Sequence, residues 1–374
     1  MSKILKMGMI GGGPGSMIGD IHRITATTSG KAELVCGAFS SSKEKSLQKG
    51  KELGLDESRI YGSYAEMVEK EAQLDEKDQM DFVAIVTPNH LHFDAAKLAL
   101  EAGFHVICDK PLAFDYSEAL QFQKVVAESK GHFAMTYTYR GYPLLEKAKE
   151  VIDSGHLGAI RKVKVDYSQG WLSQLIESEG HKQASWRTDP KKSGKGGTIA
   201  DIGTHAFNLL ESVSGLQVKS LMADVSILVE SRKIDDDTNV LLEMENGAKG
   251  YLSASQICTG ENQDLSLNIY GSKAGLVWNH NEPNLLTIKY PDFREESIKG
   301  LDHEIGETSE VNIPGHSPYF TEAFQRIYEG FFDTILNENS KKDFVKAGIE
   351  DGVRGMLFIE KAIQSSNERK WVEL

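Results

Sequence analysis

The sequence predicts an α/β domain built on a parallel sheet, followed by an α+β domain with an open, mainly antiparallel sheet. Three observations carry this expectation. Short continuous apolar runs at residues 5–10, 34–39 and 82–86 alternate with amphipathic helical stretches, the pattern of strands buried on both faces. From about residue 144 the pattern changes to strands in which apolar and polar residues alternate. A chain of 374 residues also exceeds what one core usually serves, so two domains are expected, 1–140 and 141–374.

Composition narrows the partners. The 42 basic and 55 acidic residues leave a net charge of −13, with no dense Lys/Arg tract to follow a phosphate backbone, so nucleic acid is not an expected partner. No run approaches the roughly 20 apolar residues that span a bilayer. The start passes from Met1-Ser2-Lys3 straight into an apolar run without a cleavage pattern, which predicts a cytoplasmic protein with no membrane partner. Cys36, Cys108 and Cys258 are far apart and odd in number, and are read as small core residues rather than a disulfide framework or zinc site.

The first strand, 5–10, breaks into Gly11-Gly12-Gly13-Pro14-Gly15-Ser16, and a helix is predicted over 17–28. Glycines let a backbone turn tightly and approach a pyrophosphate, and free amides at a helix start attract its charge. Gly11, Gly13, Pro14 and Gly15 are therefore candidate cofactor-binding residues, a plain turn being the alternative. The turn departs from GxGxxG, since Ser16 stands where the third glycine would fall. Gly19 is expected to supply the close packing instead.

The strand at 34–39 completes a βαβ unit, and its end bears on the cofactor. Where Asp or Glu commonly holds a ribose diol, the chain reads Ser40-Ser41-Ser42-Lys43. No carboxylate there would repel a 2'-phosphate. Ser40, Ser41 and Lys43 thus admit NAD or NADP, with a lean to NADP, unless they merely cap the helix from 43 to 53. The run 82–86 then leads into Thr87-Pro88-Asn89-His90-Leu91-His92 and a helix that stops at Gly103. Thr87, Pro88, Asn89 and His92 are expected to line the crevice, although either imidazole could be a surface residue at the helix start. On a helix His90 and His92 diverge by about 200°, so a shared metal is not expected.

The next run, His105-Val106-Ile107-Cys108, hands over to Asp109-Lys110-Pro111-Leu112. Lys110 thus falls at the carboxyl end of a buried strand, where open α/β sheets bind ligands. Partial burial disfavours an ammonium ion and suits a lysine to proton traffic near neutral pH. The plainer alternative is a strand-end lysine reaching for water.

The glycine turn, Val86-Thr87-Pro88-Asn89-His90-Leu91-His92 and Cys108-Asp109-Lys110-Pro111-Leu112, in this order and spacing, resemble the glucose-fructose oxidoreductase/inositol dehydrogenase/rhizopine catabolism (Gfo/Idh/MocA) family. Its usual Glu-Lys-Pro appears here as Asp109-Lys110-Pro111. The resemblance implies a Rossmann dinucleotide-binding domain with a catalytic Lys110, and adds Asp109 and Arg140 to the cofactor-side candidates. Arg140 falls in Tyr137-Thr138-Tyr139-Arg140, close to the family segment that leaves that domain. The likeness runs nearly to the carboxyl terminus. It implies an open sheet whose free face makes a subunit interface, hence a homodimer or homotetramer.

In the second domain Leu144, Leu145, Ala148, Val151 and Ile152 trace a helix ended by Gly155. Strands follow around Val163, Val165 and Tyr167, over 221–229, and at 240–243, 251–257 and 265–270. Polar chemistry gathers in Trp186-Arg187-Thr188-Asp189-Pro190 and in Asp201-Ile202-Gly203-Thr204-His205. If Asp201 opens a helix, His205 lies one turn along on the same face, where a carboxylate can orient an imidazole for proton transfer. Spacing alone equally allows a helix cap beside a core histidine, or an Asp/His metal pair. A metal is not expected, for want of third and fourth ligands. The family match gives Asp201 and His205 the acid/base assignment. Trp186 and Arg187 could offer a polyol an apolar platform and a forked donor, or be a stacked pair holding a loop. Tyr167, Tyr139 and Arg140 are weaker substrate-side candidates. Helix faces at 320–335 and 349–363 are assigned to packing.

These readings predict an NAD(P)-dependent oxidoreductase moving a hydride between nicotinamide and a secondary alcohol or ketone of a sugar, inositol or related polyol. His205, oriented by Asp201, would take the hydroxyl proton. Lys110 would donate to the developing alkoxide or share the relay. A redox-neutral, NAD-dependent glycoside-cleaving enzyme and a non-catalytic dinucleotide sensor are the alternatives, and the combination of Lys110, Asp201 and His205 argues against the sensor. Substrate choice is expected to rest on 169–183 and 281–315.

Overall fold

The computed structural model describes residues 3–300, 319–337 and 343–374. The chain forms two compact units, Met1–Tyr137 with Phe324–Val353, and Thr138–Ala323 with Arg354–Leu374. This differs from a single cut at 140, because the segment from Phe324 finds its apolar partners in the first unit. Phe331 and Phe332 pack on Phe82 with ring centroids 5.6 and 5.5 Å apart, and Met135 N donates to Ala347 O at 2.9 Å. The aromatic stripe is core, as its spacing predicts.

In the first unit, strands β1 (Leu5–Gly11), β2 (Ala32–Ala38), β3 (Phe82–Val86), β4 (His105–Cys108) and β5 (Phe133–Met135) form a parallel sheet in the order β2-β1-β3-β4-β5. Helices α1 (Met17–Thr28), α2 (Lys43–Glu52), α3 (Tyr64–Glu71), α4 (His92–Glu101) and α5 (Tyr116–Glu128) alternate with them. Every residue of β3 is buried, which explains its unbroken apolar run. The chain reverses direction across the sheet between β1 and β3, the switch point at which such sheets bind ligands beyond their carboxyl ends. Register sets Gly11 opposite Val86 and Ile85 opposite Cys108, so the loops that follow β1, β3 and β4 leave from one edge.

The second unit starts with α6 (Pro143–Asp153) and β6 (Ile160–Ser168), followed by the short helices α7 (Lys182–Arg187) and α8 (Pro190–Ser193) and by α9 (Thr204–Ser214). Strands β7 (Val218–Ser226), β8 (Asp237–Met244), β9 (Lys249–Ser255), β10 (Asp264–Gly271), β11 (Gly275–Asn279), β12 (Leu285–Lys289) and β13 (Glu295–Lys299) come next. Helices α10 (Tyr319–Ile335) and α11 (Ile349–Glu368) and the short β14 (Val372–Glu373) end the chain. The nine-stranded sheet runs β13-β12-β11-β10-β6-β9-β8-β7-β14; β6 and β9 are parallel and the other pairs antiparallel. Val163, Val165 and Tyr167 of β6 and Leu265, Leu267 and Ile269 of β10 are buried, and α9 packs over this face. Phe207 of α9 stacks on Phe358 of α11 at 4.3 Å.

Three details depart from the sequence reading. Strand β7 stops at Ser226 rather than 229, because Leu228 N and Val229 N turn to the Asp236 carboxylate at 2.8 and 2.9 Å. Residues 281–300 carry the β12–β13 hairpin rather than an irregular loop, while 301–315 lie outside the described residues. Cys258 is only half-buried, unlike Cys36 and Cys108. Among the described residues no helix is long and apolar enough to cross a membrane.

Candidate active site

At the switch point the chain's backbone does most of the shaping. Gly11, Gly12 and Gly15 take positive φ of 90°, 74° and 72°, which other residues rarely adopt. A Cβ on Gly11 would stand 2.8 Å from Val86 O, one on Gly13 2.6 Å from Phe39 O, and one on Gly19 2.4 Å from Gly12 Cα. Gly19 therefore provides the close approach of helix to turn that a third motif glycine would have given. Ser16 caps α1 by accepting from Gly19 N at 3.2 Å. Beside the turn, Thr87 Oγ1 is buried and has no hydrogen-bond partner among the described residues. A tight, side-chain-free turn, a helix start and an orphaned hydroxyl fit a dinucleotide's phosphates.

At the end of β2 the serines serve the backbone. Ser42 Oγ caps α2 by accepting from Lys45 N, and Ser40 Oγ accepts from Ser42 N at 3.2 Å. Ser41 is exposed, and the Lys43 stem lies 3.4 Å from where a Gly62 Cβ would be, within the field of Glu66. Asn89 is buried while Pro88 and His90 are half-exposed. His92 is neither a surface residue nor open to a ligand. It is buried, its Nδ1 on Pro111 O at 2.9 Å and its Nε2 on Thr87 O at 2.8 Å, which ties the loop after β3 to the loop after β4. Burial lowers its pKa against the pull of Asp109 and the two carbonyls.

Lys110 is half-buried and precedes a cis peptide bond to Pro111. Its backbone is fixed by its neighbour: Asp109 Oδ1 accepts from Lys110 N and from Thr136 Oγ1, each at 2.9 Å. Asp109 thus spends one carboxylate oxygen on joining the ends of β4 and β5. Behind it, His22 of α1 bonds Tyr328 OH at 2.7 Å, and burial lowers its pKa to about 4, so this ring stays neutral.

In the second unit the strand register gathers a polar ring. Ser168 faces Ser255 across β6 and β9, and Asp264 across β6 and β10, so Gln169, Gln256 and Gln263 leave one sheet edge side by side. Gln256 Nε2 donates to Asp201 Oδ2 at 2.9 Å and to Gln169 Oε1 at 3.1 Å. Gln169 Nε2 donates to Gln263 Oε1 at 2.7 Å and to Tyr167 OH at 3.2 Å. The Tyr167 hydroxyl also donates to Gln263 Oε1 at 2.5 Å and meets the Tyr139 hydroxyl. Its one proton and two lone pairs are then all used within the ring, which Tyr167 buttresses. Tyr139 stands edge-on to His205, centroids 5.1 Å apart, and also packs against Tyr142 and His280.

Asp201 does not open an α-helix. It lies in a π-helical turn, Ile199–Gly203, which runs into α9 with His205. Such turns recur where a helix must place a functional side chain. The amides at this helix start go instead to Asp235, whose carboxylate accepts from Gly197 N at 2.5 Å and Ile199 N at 2.8 Å. Arg187 Nε forms an ion pair with Asp201 Oδ2 at 3.3 Å, at an angle short of a hydrogen bond. Its guanidinium also stacks 4.3 Å above the Trp186 ring, and both side chains donate to Gln183 Oε1. The Trp-Arg pair is thus stacked, and its guanidinium also reaches the Asp201 carboxylate. Arg140, from the turn after β5, is buried.

The loop over 172–177 is pinned by Arg232, whose side chain is wholly buried. Its five N–H groups meet Leu172 O, Gln174 O, both oxygens of Glu177 and Asp236 Oδ2. Sequence reasoning missed Gln169, Gln256, Gln263, Arg232 and Asp235. A glutamine just past two strands and one just before a third were the available signal, but only the pairing order makes those positions neighbours. Among the described residues no three or more His, Cys, Asp or Glu side chains could hold a metal.

A glycine turn shaped for a dinucleotide, at the switch point of a parallel sheet, places the first unit in the class of nucleotide-binding α/β domains. Comparison with known proteins gives the same class. Residues 5–137 match the oxidoreductase family with NAD-binding Rossmann fold, and residues 145–277 match the GFO/IDH/MocA C-terminal domain. The chain belongs to the Gfo/Idh/MocA family and is an NAD-dependent oxidoreductase. It is 33% identical to the uncharacterized oxidoreductase YfiI of Bacillus subtilis, over 100% of this chain and 98% of that protein. A crystal structure of an inositol dehydrogenase homolog complexed with NAD+, from Azotobacter vinelandii, superposes with a TM-score of 0.90 at 30% identity, covering 100% of this chain and 98% of that one. The same homolog complexed with NADH and myo-inositol gives 0.87 at 29%, with the same coverage.

The Asp235 carboxylate generates a test. Burial raises its pKa to about 6 despite two amide donors. Because the folded value exceeds the unfolded one of about 3.9, this group's contribution to stability is full at low pH and lost as pH rises through 6. In urea melts of wild type and Asp235→Asn between pH 4.5 and 7.5, the wild type should lose about 1–3 kcal/mol more than the variant over that window. Parallel pH dependences would refute the raised value.

Proposed function

We propose that this protein oxidises a secondary alcohol of an inositol or a closely related polyol, with hydride passing to NAD. The observation that carries this reading is the polar ring of the second unit, where a carboxylate on a π-turn, an imidazole on the next turn, three amides and two phenols gather at one sheet edge. Such a lining suits a ligand rich in hydroxyls, since each hydroxyl taken out of water needs a polar group beside it. The relative bound to myo-inositol supports the substrate class.

The roles follow from chemistry. His205 is the base that takes the hydroxyl proton, Asp201 holds the resulting positive charge, and Lys110 donates a hydrogen bond to the developing alkoxide. The nicotinamide, when bound, accepts the hydride. Gly11, Gly13, Gly15 and Thr87 would hold its phosphates. Lys110→Met and His205→Ala are each expected to lower kcat at least 100-fold, with NADH affinity within about threefold of wild type by nicotinamide fluorescence. Near-normal turnover in both variants, on a panel including myo-inositol, would sink the assignment. Release of an aglycone without net NADH would favour the glycoside-cleaving alternative.

For the cofactor we favour NAD over the lean to NADP that the sequence suggests. Ser42 accepts from Lys45 N and donates to Glu44 Oε2 at 2.7 Å, and Lys43 lies within the field of Glu66. That leaves the Ser40 and Ser41 hydroxyls to meet a ribose hydroxyl and little positive charge to neutralise a 2'-phosphate. NADH should bind at least tenfold more tightly than NADPH. The reverse order in a fluorescence titration would restore NADP.

The outer face of the nine-stranded sheet exposes Met222 opposite Leu241, with Ile227 and Leu228 at its margin. An apolar patch on an open sheet supports a homo-oligomer. Light scattering after size exclusion should give a mass near two or four times 41.3 kDa; a monomer at micromolar concentration would remove the proposal.

A further inference from the structure

Gln256 belongs to no sequence motif and has no part in the roles above, yet it is the side chain that joins Asp201 to the rest of the ring. We propose that Gln256 is a positioning residue for the reaction, fixing the orientation of the Asp201 carboxylate through an amide whose own polarity is locked. The inference rests on the reading that Asp201 serves the proton transfer.

A primary amide can present nitrogen or oxygen to a neighbour, so a lone glutamine beside a carboxylate specifies little. Here the choice is made by its surroundings. Thr198 Oγ1 donates to Gln256 Oε1 at 2.9 Å, which turns Nε2 toward Asp201 Oδ2 and Gln169 Oε1. Gln169 Oε1 is itself held as an acceptor by Trp171 Nε1 at 2.9 Å, so it cannot be exchanged for a donor. Rotating the Gln256 amide would set oxygen against oxygen at both Asp201 and Gln169. Its backbone is equally fixed, with Gln256 N on Asp236 O and Leu172 N on Gln256 O, each at 3.0 Å. The residue is 1% exposed, so water cannot readily replace these bonds.

Groups from three elements bear on Asp201. Arg187 comes from α7, Gln256 from the end of β9, and His205 follows on α9. Tyr139 and Tyr167 feel the Asp201 charge, but burial is the main reason both phenols stay protonated. Arg187 supplies attraction at 3.3 Å without hydrogen-bond direction, whereas Gln256 supplies direction. A carboxylate that must orient an imidazole needs both.

The experiment compares Asp201→Asn, Gln256→Leu, Gln256→Glu and Thr198→Val with wild type. The readouts are the pH profile of kcat/KM, with the polyol that the substrate panel selects, and NADH affinity. Removing a hydrogen-bond donor from a carboxylate favours its protonated form. Gln256→Leu should therefore move the acid limb of the profile up by about one pH unit, and lower kcat roughly 10-fold or more with little change in KM. Gln256→Glu should move it further, because two neighbouring carboxyls share a proton. Thr198→Val, which only frees the amide to turn, should give a smaller shift of the same sign. NADH affinity should stay within about twofold throughout. If Asp201→Asn is inactive while the Gln256 and Thr198 variants keep the wild-type profile, Gln256 is mere packing and the inference is wrong. If Asp201→Asn turns over normally, the underlying reading of Asp201 fails first. Should Gln256→Leu not fold, the near-isosteric Glu and the Thr198 variant decide the matter alone.

Discussion

The parallel register of β6 with β9 is the constraint on which the second unit's chemistry depends. With Ser168 opposite Ser255 and Asp264 opposite Ser168, the residues just past β6 and β9 and just before β10 become neighbours. A slip of one position would send each side chain to the other face of the sheet. Three glutamines would then lose one another, and Asp201 would lose its directed donor. The register is in turn held by the apolar alternation of β6 and β10, whose inward residues Val163, Val165, Leu265 and Leu267 are almost wholly inaccessible. Hydrophobic burial sets the register, and the register sets the hydrogen bonds.

Buried charge is the second device. Carrying Arg232, Asp235 and Asp236 out of water costs several kcal/mol per ion unless each finds full hydrogen bonding. Each does. Asp236 takes the amides of Leu228 and Val229 and one arm of Arg232, while Asp235 turns to Gly197 and Ile199 at the start of the π-turn. Two adjacent aspartates therefore serve opposite directions. One fastens the loop that Arg232 carries, and the other fastens the turn that carries Asp201. The short segment 232–236 ties together two elements far apart in sequence, the loop over 172–177 and the π-turn over 199–203.

The first unit was legible because its requirements are local. A turn that must take positive φ at Gly11, Gly12 and Gly15 demands glycine whatever else the chain does, so the motif shows in six residues. Even the departure could be read: Ser16 in place of a third glycine becomes the cap of α1, and Gly19 makes the close approach. The role of His92 was not legible, since its two carbonyl partners lie on segments separated by 24 residues, at Thr87 and Pro111. In the second unit the alternating strands were visible but their order was not. Without the non-sequential pairing β10-β6-β9, Gln169, Gln256 and Gln263 are three unrelated polar residues. The expected helix opening at Asp201 failed for a related reason, because the capping acid, Asp235, comes from 34 positions away.

The glycine turn of the first unit and the polar ring of the second also differ in what holds them, and the difference bears on how each can vary. Around the glycine turn, the shape is set by the backbone and by the absence of side chains, so a substitution there adds atoms where none fit: a Cβ at Gly19 would meet Gly12 Cα at 2.4 Å. Around Asp201, the shape is set by side-chain amides and phenols bonded to one another. Altering one member changes the polarity available to the next, since Thr198, Gln256 and Gln169 each donate to the amide oxygen that follows, ending at Gln263 Oε1. An arrangement of the first kind tolerates little change. One of the second kind can be retuned by exchanging amide, hydroxyl and carboxyl groups on an unchanged sheet edge, without moving the strands.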